Sequence, residues 1–161
     1  MLTAVFFFTA SNLQAQEARV REPAPSRWAV AAAPFGVADE DSTLEIGLEH
    51  RLRPFRLGPV TLTPALGATV TEKESVWLYG GVRWDLPLSE HWIATPNFAV
   101  AFYDDGNGKD LGGFVEFRSG IEITYRFVGG QRFGLALYHL SNGGLYERNP
   151  GSESLVLAWS F

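Results

Sequence analysis

The chain has 161 residues, 46% hydrophobic, 19% charged and 14% aromatic, with a formal net charge of −5 and no cysteine. That length suits one domain with one core, and twelve Phe, five Trp and five Tyr are too many for a disordered chain. The missing Cys excludes disulfide scaffolds, thiolate zinc sites and cysteine nucleophiles, while a negative balance with no basic run argues against nucleic acid as a partner.

Residues 2–10 read LTAVFFFTA, an apolar run too short to cross a bilayer as a helix. Ser11, Asn12, Leu13, Gln14 and Ala15 follow, with a cleavage-like region near Ala15 or Ala18. The pattern predicts a secretory signal over 1–16 that lacks a positive leading segment. Residues 17–27, EARVREPAPSR, are expected to form a tether. A regular domain is then expected over 28–161.

From residue 28 onward no segment carries apolar residues at helical spacing over a helix's length. The chain alternates apolar and polar residues instead, interrupted by Gly, Pro, Asp and Asn. Eight strands are predicted, at about 28–38, 42–53, 57–70, 75–86, 91–103, 112–127, 131–141 and 152–161. In the second, Leu44, Ile46, Leu48 and Leu52 oppose Glu45, Glu49, Arg51 and Arg53. The sixth sets Val115, Phe117, Ile121, Ile123, Tyr125 and Phe127 against Glu116, Arg118, Gly120, Glu122, Thr124 and Arg126.

Such alternation fits a soluble lipocalin-like barrel with its apolar face inside, or an outer-membrane barrel with that face toward lipid. The polar face favours the second. It is rich in Gly, Ala, Ser and Thr, and its charges are mixed in sign, which suits a crowded interior. The only Lys residues, Lys73 and Lys109, fall in predicted loops. Ten residues at a rise of ~3.4 Å and a tilt of ~45° span about 24 Å, the height of an outer-membrane apolar band. Trp28, Trp84, Trp92, Tyr103, Trp159 and Phe161 lie near strand ends, as interfacial girdles require. The expected fold is therefore all-β, an eight-stranded antiparallel up-and-down transmembrane β-barrel in the outer membrane of a Gram-negative cell. The closing Phe161 is similar to the carboxy-terminal aromatic signature read by the barrel assembly machinery, which makes that machinery an expected partner.

Parity becomes informative where a polar residue falls on the apolar face. In the seventh strand Phe133, Leu135 and Leu137 are followed in register by His139 and Ser141. In the eighth, Leu155, Leu157, Trp159 and Phe161 are preceded by Glu153. Antiparallel pairing across the 142–152 loop would bring these ends together. His50 is a fourth such residue, near the opposite end of its strand. Polar groups facing hydrocarbon are costly; a position at headgroup depth would explain one of them. Three that make up a nucleophile, a base and an orienting carboxylate point instead to acyl transfer. Residues i and i+2 on a strand lie ~7 Å apart at Cα, within side-chain reach.

The stretches LGGFVEFRSGIEITYRF (111–127) and HLSNGGLYERNPGSES (139–154) resemble the PagL family of outer-membrane lipid A 3-O-deacylases. The resemblance covers about the last third of the chain, and its specific part is H-L-S-N with N-P-G-x-E. It implies a Ser-His-Glu triad of Ser141, His139 and Glu153 on the barrel exterior. Asn142 and the amides of Gly143 and Gly144 become candidate oxyanion donors. It also implies hydrolysis of the 3-hydroxyacyl ester at position 3 of lipid A in the outer leaflet, with acyl chains against Leu135, Leu137, Leu155 and Leu157. Tyr146, Glu147 and Arg148 in the connection depart from the family pattern. A phospholipase or acyltransferase barrel, and a non-catalytic barrel, are the alternatives. No metal or cofactor is expected, since His50, His91 and His139 stand at non-ligand spacings. The segment DDGNGKD (104–110) lacks the closing Glu of a calcium loop and reads as a solvated turn.

Overall fold

The computed structural model describes residues 27–39 and 42–161. The predicted signal and all of the tether before Arg27 lie outside the described residues. Ten strands follow in order: β1 Trp28–Phe35, β2 Thr43–Arg51, β3 Phe55–Leu57, β4 Val60–Thr71, β5 Val76–Arg83, β6 Leu86–Pro87, β7 Trp92–Asp104, β8 Val115–Arg126, β9 Arg132–Ser141 and β10 Ser152–Ser160. β3 and β6 are short pieces flanking turns, beside β4 and β7. The other eight are the predicted strands, with ends shifted by a few residues.

These eight form a ring. Each long strand pairs antiparallel with its chain neighbour, β1 pairs with β10, and β2 pairs with β4 across the β3 turn. Closure removes every long unpaired edge, which lets backbone polar groups cross hydrocarbon.

Burial alternates along most of each strand, with a buried run at Ile93, Ala94 and Thr95 in β7. Leu44, Ile46, Leu48, Leu66, Leu78, Phe98, Ile121, Leu135 and Leu157 are exposed on the outer surface, whereas Glu45, Glu49, Arg83, Glu116 and Glu122 are buried inside. An exterior so apolar is what lipid contact demands.

The interior is a packed polar core. Arg83 lies 3.1 Å from Glu49 and 2.8 Å from Glu122, and Arg51 lies 3.0 Å from Glu49 and 3.5 Å from Glu122. Tyr79 donates to Glu49 at 3.3 Å. The Arg118 guanidinium stands 3.4 Å from the centre of the Tyr138 ring and 4.5 Å from that of Tyr79. Glycine makes this possible at two inward positions: a Cβ on Gly67 would strike Tyr79, and one on Gly120 would strike Tyr138.

Two expectations need correction. Tyr103 is not in an interfacial girdle; odd-numbered positions of β7 point inward there, and Tyr103 is buried with its hydroxyl donating to Lys109 O at 2.7 Å. The third predicted strand is divided, because Gly58 at φ +61° turns the chain between β3 and β4.

The barrel has two distinguishable ends. Trp28 and Phe161 meet at one, where Arg27 and Trp28 amides donate to Phe161 O. This end carries the 127–131 turn, whereas the other carries the ten-residue connections 105–114 and 142–151. Long connections mark the extracellular side of such barrels and short turns the periplasmic side.

Candidate functional site

His139, Ser141 and Glu153 sit at the extracellular end of β9 and β10. The β9–β10 register places Glu153 directly opposite His139, and side chains opposed in this way share a face. They meet: His139 Nδ1 lies 3.0 Å from Glu153 Oε1. Both side chains remain nearly half exposed, at 46% and 42%, on the lipid-facing surface. Ser141 lies two residues beyond His139 on the same face, opposite Phe117 of β8. Its hydroxyl is not hydrogen-bonded to the imidazole here, a separation common before substrate binds.

The far edge of the imidazole is located by Gly151. A Cβ there would stand 2.9 Å from His139 Cε1 and 3.5 Å from Nε2. Gly151 follows Pro150 and adopts φ +63°, a conformation that glycine takes without strain. Nδ1 therefore faces Glu153, while the Cε1–Nε2 edge turns toward the 142–151 connection that begins just after Ser141.

Asn142 has a different place from the one expected. Its side chain is fully buried, and Nδ2 donates to Leu111 O at 2.9 Å and Arg148 O at 2.8 Å. Its Oδ1 accepts from the Gly144 amide at 3.0 Å, and its own amide donates to Asn149 Oδ1 at 2.9 Å. With both side-chain hydrogens engaged, Asn142 ties two loops together and does not offer its amide group to an oxyanion. The Gly144 amide is engaged as well. Gly143 is exposed, at φ +63°, and its amide is the remaining donor of the expected three.

Around this loop the structure is tight. Tyr146 lies against Gly113 and accepts a hydrogen bond from the Val115 amide at 3.2 Å. Arg148 pairs with Asp110 at 2.7 Å. The Gly112 amide, and then Arg148, hold the Asp110 carboxyl below its usual range. The 104–110 segment is mostly exposed, as a solvated turn would be, and is anchored where Lys109 pairs with Asp39 at 2.7 Å; Ser152 beside Glu153 also donates to Asp39, at 3.2 Å.

Toward the bilayer centre, Leu137 opposes Leu155 and Leu135 opposes Leu157. All four are exposed, as one contiguous apolar patch starting one step below the His139–Glu153 pair. On the other flank Phe98 and Phe117 stack at 5.8 Å. Between the rings and the imidazole lies Ser119, opposite both Phe98 and His139. Ser119 is not among the site residues expected from the sequence. Its parity was available, because it follows Phe117 and precedes Ile121 on the outward face of β8. His50 is distant, at the periplasmic end, against Trp28.

A closed eight-stranded barrel, apolar outside, ion-paired inside and carrying a polar cluster on its lipid side, defines an outer-membrane β-barrel protein with a candidate site open to the bilayer. The comparisons narrow this class. The family model described as Lipid A 3-O-deacylase (PagL) matches residues 66–161, more than half of the chain, and the chain belongs to that family of ester hydrolases. The crystal structure of the outer membrane enzyme PagL is similar to it with a TM-score of 0.68 and 20% identity, over 84% of this chain and 99% of that one. A de novo designed transmembrane β-barrel is also similar, with a TM-score of 0.55 and 12% identity, over 87% of this chain and 98% of the design. At these identities both likenesses concern the fold. No curated protein sequence matches the chain significantly.

Proposed function

We propose that this protein removes the 3-hydroxyacyl chain esterified at position 3 of lipid A, using Ser141, His139 and Glu153. The observation that carries the reading is the His139–Glu153 contact of 3.0 Å on the lipid-facing surface, two residues from Ser141, in a chain of the deacylase family. A site at the extracellular end would face the leaflet that holds lipid A, which supports the reading.

In this mechanism Ser141 Oγ attacks the ester carbonyl carbon while His139 Nε2 takes its proton. Glu153 accepts the Nδ1–H bond, fixing the tautomer and stabilising the imidazolium. The tetrahedral oxyanion forms beside the Gly143 amide, and one such donor is typically worth about 3–4 kcal/mol. Collapse breaks the ester C–O bond, and Nε2 returns its proton to the departing sugar oxygen. Water then attacks the acyl-serine with His139 again as base, releasing the hydroxy fatty acid and regenerating Ser141. The reaction needs no extraction of substrate from the bilayer, because chains of lipid A can lie on Leu135, Leu137, Leu155 and Leu157. Delivery would use the apolar segment 1–16 as an export signal.

Mass spectrometry of lipid A from a Gram-negative host expressing the chain tests this, with Ser141→Ala as control. Loss of one hydroxyacyl group, absent in the control, is the expected result. Unchanged lipid A with the barrel folded in the outer membrane would overturn the assignment.

A further inference from the structure

The extracellular connections and the first periplasmic turn differ in charge. The extracellular connections 36–42, 72–75, 105–114 and 142–151 carry Asp and Glu in excess of Lys and Arg. At the periplasmic end the first turn, 52–59, carries Arg53 and Arg56 and no acidic residue, and Arg27 enters β1 beside it. Hydrogen bonds hold these segments together: the Arg51 amide donates to Arg27 O at 2.7 Å, and the Leu52 amide to Pro64 O at 2.8 Å. Arg27, Arg53 and Arg56 have no ion-pair partner among the described residues. Of the other arginines at this end, Arg132 pairs with Asp85 at 2.7 Å and Arg126 donates to Glu90 O at 2.8 Å.

Between Arg27 and the turn lies a cavity of about 180 Å³, lined by Arg27, His50, Leu52, Arg53, Pro54 and Thr63 together with Arg51. Arg51 is already committed to Glu49 and Glu122, so the charge available to a ligand comes from Arg27 and Arg53. His50 adds the second observation. It is an outward residue of β2 whose ring centre lies 4.2 Å from that of Trp28, and its Nδ1 is buried with no hydrogen-bond partner. A buried polar nitrogen without a partner calls for a ligand or a water. Trp28 and Leu66 flank it on the lipid side, which places the cavity at the level where chains give way to headgroups.

We propose that this cavity binds the phosphate of an anionic glycerophospholipid of the periplasmic leaflet. The guanidinium groups of Arg27 and Arg53 present paired N–H donors that match phosphate oxygens, and His50 supplies a further contact. The acyl chains then run down the apolar surface beside Trp28 and Leu48. The site stands apart from the His139–Ser141–Glu153 cluster, at the opposite end of the barrel, and does not depend on its chemistry. It would hold the first hairpin and the closing β1–β10 seam against the inner leaflet.

The test is native mass spectrometry of the full chain released from detergent after equilibration with phosphatidylglycerol or phosphatidylcholine. Wild type is expected to retain phosphatidylglycerol in preference to phosphatidylcholine. Arg27→Gln with Arg53→Gln should lower that retention about 30-fold, as two basic groups at an anionic surface imply, with heat-modifiable migration unchanged. A second measurement needs no variant: retention by wild type should fall as salt rises for phosphatidylglycerol and not for phosphatidylcholine. Equal retention of the two lipids, or retention indifferent to both substitutions and salt, would overturn the proposal. So would competition by inorganic phosphate that stabilises the barrel while no lipid is retained, because the site would then serve a free anion.

Discussion

Two polar clusters lie on either side of one barrel wall, and they differ in how completely their groups are used. Inside, Glu49, Glu122, Arg51 and Arg83 are each less than a tenth exposed, and they compensate one another through contacts of 2.8–3.5 Å. Outside, His139 and Glu153 make one contact with each other, and Ser141 makes none with either. A group whose hydrogen-bonding capacity is consumed holds structure; a group with capacity left over, at a place where exposure is costly, is available for chemistry. The difference predicts opposite consequences of substitution: loss of reaction without loss of fold outside, and the reverse inside.

The largest effect is expected at the proposed nucleophile and base. Ser141→Ala or His139→Asn should each reduce deacylation on the order of 10⁶-fold, as removal of either member of such a unit does. Single-turnover assays on lipid A in mixed micelles measure this, with heat-modifiable migration unchanged. Retained activity in His139→Asn would refute the mechanism. Glu153→Gln comes next, with a loss of about 10⁴-fold, because an amide cannot stabilise the imidazolium and favours the wrong tautomer. The comparison sharpens if folding stability stays constant across all three variants.

The interior should behave in the other direction. Arg83→Met leaves Glu49 and Glu122 buried with only Arg51 between them, and breaking a buried network from one side costs about 3–5 kcal/mol. Urea titration in lipid vesicles should show this loss, while activity per folded molecule stays near wild type. A variant equally stable but inactive would mean that the two sides of the wall are coupled and not distinct in role.

How much of this was readable beforehand follows from the same geometry. Strand parity needs only the sequence, so all eight spanning strands and the outward placement of His139, Ser141 and Glu153 were legible. The same parity puts Tyr103 inside with Ala99 and Ala101, and Ser119 outside with Phe117 and Ile121. β3 and β6, at three and two residues, are too short for any period to show beside Pro54 and Pro87. The role of Asn142 was out of reach. It depends on Leu111, 31 residues away, and loop-to-loop hydrogen bonds leave no local pattern. The cavity near His50 was hidden for a similar reason, since it forms only where Arg27 is brought against the first turn.

The smallest effect, and the one most particular to this geometry, is expected at Gly151. Alanine there is strained twice: by φ +63°, which costs an L side chain about 1–2 kcal/mol, and by a Cβ 2.9 Å from His139 Cε1. The first term acts on the 142–151 connection and should lower stability modestly. The second acts on the imidazole alone, which must tilt away from Gly151 and lose alignment with Glu153 on one edge and Ser141 on the other. Displacements of about 1 Å at a reacting group cost on the order of 100-fold, so Gly151→Ala should lower kcat between about 10- and 100-fold with little change in KM. Gly144→Ala is the informative contrast. It has a similar positive φ of 83°, but a Cβ there meets nothing within 4 Å. If backbone strain were the whole cause, the two variants would lose the same activity. If the imidazole is what Gly151 protects, Gly144→Ala should keep most of its turnover while losing comparable stability.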